Sequence, residues 1–204
     1  MGYFKILVIG EIGSGKSSIV YRLAYNSFTE KYKATIGCEF GMKSFFIDGH
    51  EIKVQLWDLA GQDRLNTISR VYCRDASGAI VVADLKDRES MDKAPLWKRS
   101  VDENISGADG NSIPMILCLN KVDLANQDRP SESALREIAN QHGFLNAFCT
   151  SAKTGENIEE ALEYLIRSVK DKIIKNKSMT ESIMLNLEDH SKMLESRRSK
   201  KCCS

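Results

Sequence analysis

The chain has 204 residues, 42% hydrophobic and 28% charged, with a formal net charge of +1; this is enough for one α/β core plus a short appendage, and it holds no basic stripe of the kind nucleic acid requires. No apolar run approaches the length of a membrane span, no signal peptide is expected ahead of the first strand, and Met1-Gly2 does not make a myristoylation start, because Ile6 stands where Ser or Thr is needed. Of the six cysteines, Cys38, Cys73, Cys118 and Cys149 are scattered without a C-x-x-C pair, as expected of reduced cytosolic thiols, and the three isolated histidines suggest no zinc or His-based catalytic site.

The first element is the apolar run Ile6-Leu7-Val8-Ile9, which reads as a buried strand. It leads into Gly10-Glu11-Ile12-Gly13-Ser14-Gly15-Lys16-Ser17, the phosphate-loop pattern GxxxxGK[ST], and then into a helix with Ile19, Val20, Leu23 and Ala24 on one face. Strand, glycine-rich turn and helix N-terminus present a ring of backbone N–H groups to a polyphosphate. Gly13 and Gly15 let the backbone approach it closely, Lys16 would reach the β- and γ-phosphates, and the Ser17 hydroxyl would sit on Mg²⁺. This segment predicts nucleotide binding, with Ser14 and Ser18 among the binding residues.

A polar stretch over 26–38 follows. Strands around 40–47 and 52–59 are joined by Asp48-Gly49, a two-residue hairpin signal. An irregular segment from Ala60 to about Asn66 leads into a short helix ending near Arg74. Buried strands are expected over 79–83 and 115–119, each followed by polar residues and a helix. Ser90 is placed to cap the first of these helices, and Pro95 then predicts a late start or a kink. Ser131-x-x-Ala134 opens another helix through His142; 147–149 is the last strand and 158–174 the last helix, with Leu162, Leu165, Ile166 and Val169 inward. The alternation predicts a six-stranded, mostly parallel sheet with one antiparallel edge strand and helices on both faces. Ligands of such sheets sit at the carboxyl ends of the strands.

The remaining motifs fall at those ends. Trp57-Asp58-Leu59-Ala60-Gly61-Gln62 closes the second hairpin strand, so Asp58 can hold Mg²⁺ through water and the Gly61 N–H can face the γ-phosphate. In Asn120-Lys121-Val122-Asp123 the carboxylate can accept from guanine N1–H and the 2-amino group, a donor pair adenine lacks. Thr150-Ser151-Ala152-Lys153 offers a backbone N–H to guanine O6.

With these five motifs in order, the chain to about Lys175 resembles a Ras-like small GTPase with the P-loop GTPase fold. The resemblance implies GTP/GDP binding with Mg²⁺ and hydrolysis of GTP to GDP and phosphate, with Lys16 and Gln62 catalytic. It makes Phe28, seven positions before Thr35, the aromatic over the guanine face, and makes Thr35 a ligand of Mg²⁺ and of the γ-phosphate. Lys121 and Lys153 would pack along base and ribose, and Gln62 would orient the attacking water, a role for which Ras is the standard worked case. Thr35-Ile36-Gly37-Cys38-Glu39-Phe40, the Trp57-Asp58 pair and Gly61-Gln62-Asp63-Arg64-Leu65 resemble the Rab form of the switches; Phe40, Trp57 and Tyr72 would then be the aromatic triad read by effectors, unless they are simply core. The segments Arg70–Ala76 (residues 70–76) and Leu96-Trp97-Lys98 resemble the Rab branch that serves lysosome-related organelles.

The resemblance implies a molecular switch in vesicle traffic: a monomer meeting effectors, an exchange factor, a GTPase-activating protein and prenyl-Rab chaperones on the cytosolic face of an endomembrane (vesicle, Golgi, or endosome and lysosome-related compartment) and cycling with the cytosol. Three departures stand out. Ile12 sets a branched apolar side chain beside the γ-phosphate, Cys73 replaces the usual second Tyr, and Asp63 replaces Glu. The expected domain is 1–175, followed by a flexible tail over 176–204 in which Ile183, Leu187 and Leu194 keep a roughly helical spacing. The run Arg197-Arg198-Ser199-Lys200-Lys201 precedes Cys202-Cys203-Ser204, whose two cysteines resemble the Rab lipidation site. The alternative is a nucleotide-binding scaffold with negligible hydrolysis, motivated by Ile12; a P-loop kinase or ATPase would require ATP to compete with GTP.

Overall fold

The structure, a computed structural model, describes residues 3–31, 33–61, 70–105, 112–125 and 129–175. The chain divides into two units, Met1–Arg167 and Ser168–Ser204. In the first unit six strands form one sheet: β1 (Tyr3–Ile9), β2 (Cys38–Ile47), β3 (His50–Leu59), β4 (Gly78–Asp84), β5 (Met115–Asn120) and β6 (Ala147–Cys149), in the order β2-β3-β1-β4-β5-β6. All pairings are parallel except β2 with β3, so the single antiparallel strand lies at the edge as the alternation predicted. Asp48 and Gly49 both take positive φ, 51° and 76°, the backbone that a two-residue hairpin with the right strand twist demands.

Helix α1 (Lys16–Tyr25) packs on β1, β2 and β3 through Ile19, Val20 and Leu23. On the other face, α3 (Arg88–Ile105) inserts Ala94, Trp97 and Val101 into one cluster with Leu7, Ile9, Ala79, Val81, Leu117 and Leu119, the alternate residues of three parallel strands. Burying the Leu, Ile and Val side chains of this cluster contributes about 1.5–3 kcal/mol each and helps fix the sheet's carboxyl edge, from which the loops project. A short α2 (Arg70–Cys73) precedes β4, and α4 (Glu132–His142) opens with the Ser131 hydroxyl accepting from Ala134 N–H at 3.3 Å and closes on Gly143 at φ 70°. Residues 158–167 are helical with Leu162, Leu165 and Ile166 buried; in the second unit, 168–175 are helical.

One expectation is corrected. Ser90 does not cap α3, and the helix does not start late: it begins at Arg88, where the Asp87 carboxylate accepts from Glu89 N–H at 3.0 Å, and runs unbroken through Pro95. The Ser90 hydroxyl instead accepts from the Asp84 N–H at 3.0 Å, tying the helix to the end of β4. Asp87 outcompetes Ser90 because its carboxylate is the stronger acceptor at a helix N-terminus.

Candidate nucleotide site at the carboxyl edge

The loops after β1, β3, β5 and β6 enclose a cavity of about 520 Å³, lined among others by Gly13, Gly15, Lys16, Ser17, Ser18, Phe28, Thr35, Gly61, Asn120, Lys121, Asp123, Ala152 and Lys153. Sequence separation is no guide here: residues from 12 to 153 meet because the parallel strands bring their loops to one edge, where the segment between α1 and β2 joins them.

At one end lies the phosphate loop. Gly15, at φ 98°, is the N-terminal cap of α1, and a Cβ there would collide with the Asn120 carboxamide. Lys16 is buried and donates its Nζ–H to the Glu11 carbonyl at 2.9 Å. Burial pulls its pKa down to about 8, against the opposing fields of Asp58 and Glu11. Gly61 approaches so closely that a Cβ would lie 2.6 Å from both Ile12 N and Lys16 Nζ. Ile12 itself is 50% exposed and lines the cavity, an apolar branched group where the loop otherwise offers polar atoms.

Beneath the loop, three oxygen-bearing side chains from three elements converge. Thr35 Oγ1–H donates to Asp58 Oδ2 at 3.3 Å, and the Ser17 and Thr35 hydroxyls share a hydrogen bond at 2.7 Å. Asp58 is 1% exposed, and its Oδ1 has no hydrogen-bond partner among the described residues. Burial raises its pKa, while the Ser17 hydroxyl and the Lys16 charge oppose the rise. A buried carboxylate with one oxygen unsatisfied, beside two hydroxyls, is a hard oxygen donor set; it fits a small divalent cation such as Mg²⁺.

The other end is cross-braced. Asn120 donates Nδ2–H to the Ser14 carbonyl at 2.9 Å and accepts the Ala152 N–H at 3.1 Å, joining the phosphate loop to the loop after β6. Asp123 Oδ1 accepts the Ser151 hydroxyl at 2.6 Å, and Ser151 Oγ accepts the Thr154 N–H at 3.1 Å. Since the Ala152 N–H is already donated to Asn120, the N–H groups of 151–153 are not all available to a base. Lys121 sits at φ 65° with Nζ on Asp84 at 2.7 Å, and Lys153 pairs with Glu30 at 3.0 Å across the mouth. Phe28 is half-buried on the wall.

Sequence reasoning missed Arg22. Its guanidinium donates to the carbonyls of Ala152 at 2.9 Å and Lys153 at 2.6 Å, and to Asn26 O at 3.1 Å, so α1 holds the loop after β6 by its backbone. A basic residue in the last turn of a helix reads as a dipole partner; nothing local announces acceptors 130 residues away. Outside the cavity, Phe40 and Trp57 meet edge to face at 4.3 Å between centroids, with Lys5 Nζ 3.8 Å from the Trp57 centroid on the same ring. Phe40 is 58% exposed and so is not core, whereas Tyr72 packs half-buried against the core under α3. Gln62, Asp63, the tail spacing at Ile183, Leu187 and Leu194, the basic run over 197–201, and Cys202 and Cys203 lie outside the described residues.

The profile of the Ras family matches residues 5–171, spanning every loop of the cavity. The chain belongs to the Rab group of the Ras family. It is 39% identical over 167 residues to mouse (Mus musculus) Ras-related protein Rab-32, covering 81% of this chain and 75% of that protein. It is also 39% identical over 177 residues to Ras-related protein Rab-32A of Dictyostelium discoideum, covering 85% and 78%, and 36% identical over 191 residues to Ras-related protein Rab-1 of Theileria parva, covering 93% and 84%. As a Rab it is a guanine-nucleotide-binding GTP hydrolase of membrane traffic, and the Rab-32 relatives fit the resemblance to the lysosome-related branch. Among its described residues, no helix of this Rab is long and apolar enough to cross a membrane.

Proposed function

We propose that this Rab is a slow, Mg²⁺-dependent GTP switch whose base end selects guanine and whose phosphate end reads the γ-phosphate. The carrying observation is the convergence of Ser17, Thr35 and the buried, half-satisfied Asp58 beneath the phosphate loop. Ser17 and Thr35 would hold the ion directly and Asp58 through water, and the ion would supply charge neutralisation at the phosphates. Lys16 and the N–H groups of 13–18 hold the phosphates, Gly61 N–H faces the γ-phosphate, and Gln62 orients the attacking water. Asp123 accepts from the guanine N1–H and 2-amino group, and Phe28, Lys121 and Lys153 enclose base and ribose, with Asn120, Ser151 and Ala152 supporting them. Loss of the γ-phosphate releases Thr35 and Gly61, so the switches relax and effectors that grip Phe40, Trp57 and Tyr72 dissociate.

The monomer comprises a GTPase domain over 1–175 and a tail over 176–204 that carries geranylgeranyl groups on Cys202 and Cys203. One chain anchors only marginally, so two lipids, aided by the cations of 197–201, hold it on the cytosolic face of an endomembrane of the endosome or lysosome-related class. Exchange factor, activating protein and prenyl-Rab chaperone are the partners this cycle requires. Ile12, exposed at the γ-phosphate end, favours a second reading in which hydrolysis is negligible and the protein acts as a nucleotide-bound scaffold.

Single-turnover hydrolysis separates the two: Gln62→Leu should slow a measurable wild-type rate by ten- to a hundredfold while leaving affinity unchanged, since it removes only positioning. A wild type as slow as Gln62→Leu, with or without an activating protein, selects the scaffold. Cys202→Ser/Cys203→Ser protein should lose membrane sedimentation in cells and the added lipid mass; retention of either refutes the anchor.

A further inference from the structure

The phosphate loop carries a residue that its ligand does not explain. Glu11 places a carboxylate within a loop that collects N–H donors for a polyphosphate, where like charge repels. The structure gives that carboxylate to α3 instead. Glu11 Oε1 accepts the Trp97 indole N–H at 3.1 Å, and Oε2 accepts from Lys93 Nζ at 3.1 Å. Lys93 also bonds Glu89 at 2.7 Å, one turn earlier.

Trp97 is 1% exposed, so its ring cannot adjust to follow the loop; it is held among Leu7, Ile9, Val81 and Leu117. An indole has a single donor, and when it is buried that donor needs an acceptor. The same residue's main chain is the hub of the loop's interior. The Glu11 carbonyl accepts both Lys16 Nζ at 2.9 Å and the Ser14 N–H at 3.3 Å, and Gly61 closes on it so tightly that a Cβ would lie 2.8 Å from the Glu11 carbonyl carbon. Whatever fixes Glu11 therefore fixes the group that holds the phosphate-binding lysine and the neighbour of the γ-phosphate end. This accounts for Trp97 in the Leu96-Trp97-Lys98 segment, which the catalytic roles leave without a task.

We infer that Glu11 and Trp97 are a positioning pair through which α3 sets the conformation of the phosphate loop, and thereby the rate of nucleotide release. The inference rests on guanine-nucleotide binding at this cavity.

The test is release of a fluorescent GDP from the full chain with Mg²⁺. Trp97→Phe keeps a buried ring but removes the N–H, and it should speed release by roughly five- to tenfold, the scale of one hydrogen bond. Glu11→Ala removes the Lys93 bond as well and should speed release at least as much, and the double variant should be no faster than Glu11→Ala, because the Glu11–Trp97 bond can be lost only once. Glu11→Gln still offers an oxygen to the indole and should show a smaller rise than Glu11→Ala, whereas Lys98→Ala, on the same helix but paired with Asp102 at 2.7 Å, should release at the wild-type rate. A merely structural tryptophan would give additive effects in the double variant and no difference between Glu11→Gln and Glu11→Ala. Wild-type release from Trp97→Phe, or additivity, overturns the pair. If Trp97→Phe does not fold, the Glu11→Ala and Glu11→Gln comparison decides alone. A wild type that fails to retain GDP at all refutes the nucleotide site rather than the pair.

Discussion

The two ends of the cavity solve opposite problems. At the base end the recognising groups are already tied to one another: Asn120 is bonded at both ends of its carboxamide, Asp123 holds the Ser151 hydroxyl, and Arg22 grips the carbonyls of Ala152 and Lys153. At the phosphate end charged groups are buried at a cost: burial pulls the Lys16 pKa down, and Asp58 is buried with one oxygen unsatisfied among the described residues. A site whose groups are held before binding spends little ordering free energy and discriminates sharply, because a mismatched ligand leaves fixed polar atoms unpaired. A site whose buried charges are satisfied only by its ligand changes state when part of that ligand is removed. The first arrangement suits a recognition element that never changes, the second an element that must.

The sharpest way to break this comparison is at the base end. On the proposed assignment, Asp123→Ala would remove two charge-assisted hydrogen bonds to guanine, each worth about 1.5–3 kcal/mol, so GDP affinity should fall by about a thousandfold with the fold intact. Calorimetric titration checks it; an affinity within tenfold of wild type would remove Asp123 from base recognition. Next in size, Arg22→Ala unties the loop after β6 without touching the phosphates. Release of GDP and GTP should accelerate by the same factor, about tenfold, for the loss of charge-assisted bonds to two carbonyls. A variant that accelerated GDP alone would mean that Arg22 acts on the phosphate end instead. The smallest effect belongs to Ile12→Gly, which clears a branched side chain from the cavity wall. Single-turnover hydrolysis should rise by about two- to fivefold, a fraction of the factor attached to misplacing a reacting group, with GDP affinity unchanged. A changed affinity would show that Ile12 shapes the loop and not only its surroundings.

The same division governs what could be read in the sequence. The strands, the antiparallel edge and the Asp48-Gly49 turn were legible because apolar runs, period-2 alternation and turn chemistry are local signals. The phosphate-end residues were legible for a related reason: Gly15, Lys16 and Ser17 stand together in one loop whose spacing is itself the chemistry. Arg22, Glu11 and Trp97 were not, since each acts through a partner from a distant element. A lone arginine, glutamate or tryptophan looks the same whether it is solvated, capping or bracing. Ser90 misled for the same reason in reverse, because a good local capping residue lost to Asp87 three positions earlier and bonded the Asp84 backbone instead.

The central claim is that a pre-braced base end selects guanine. Competition of GTP, GDP and ATP against a bound fluorescent GDP on the wild-type chain, with Mg²⁺ present, tests it most directly. GTP and GDP should displace the probe at similar concentrations, while ATP should require roughly four to five orders of magnitude more, as for a site whose buried acceptor finds no donor on its ligand. Displacement by ATP at concentrations comparable to GTP would contradict the account.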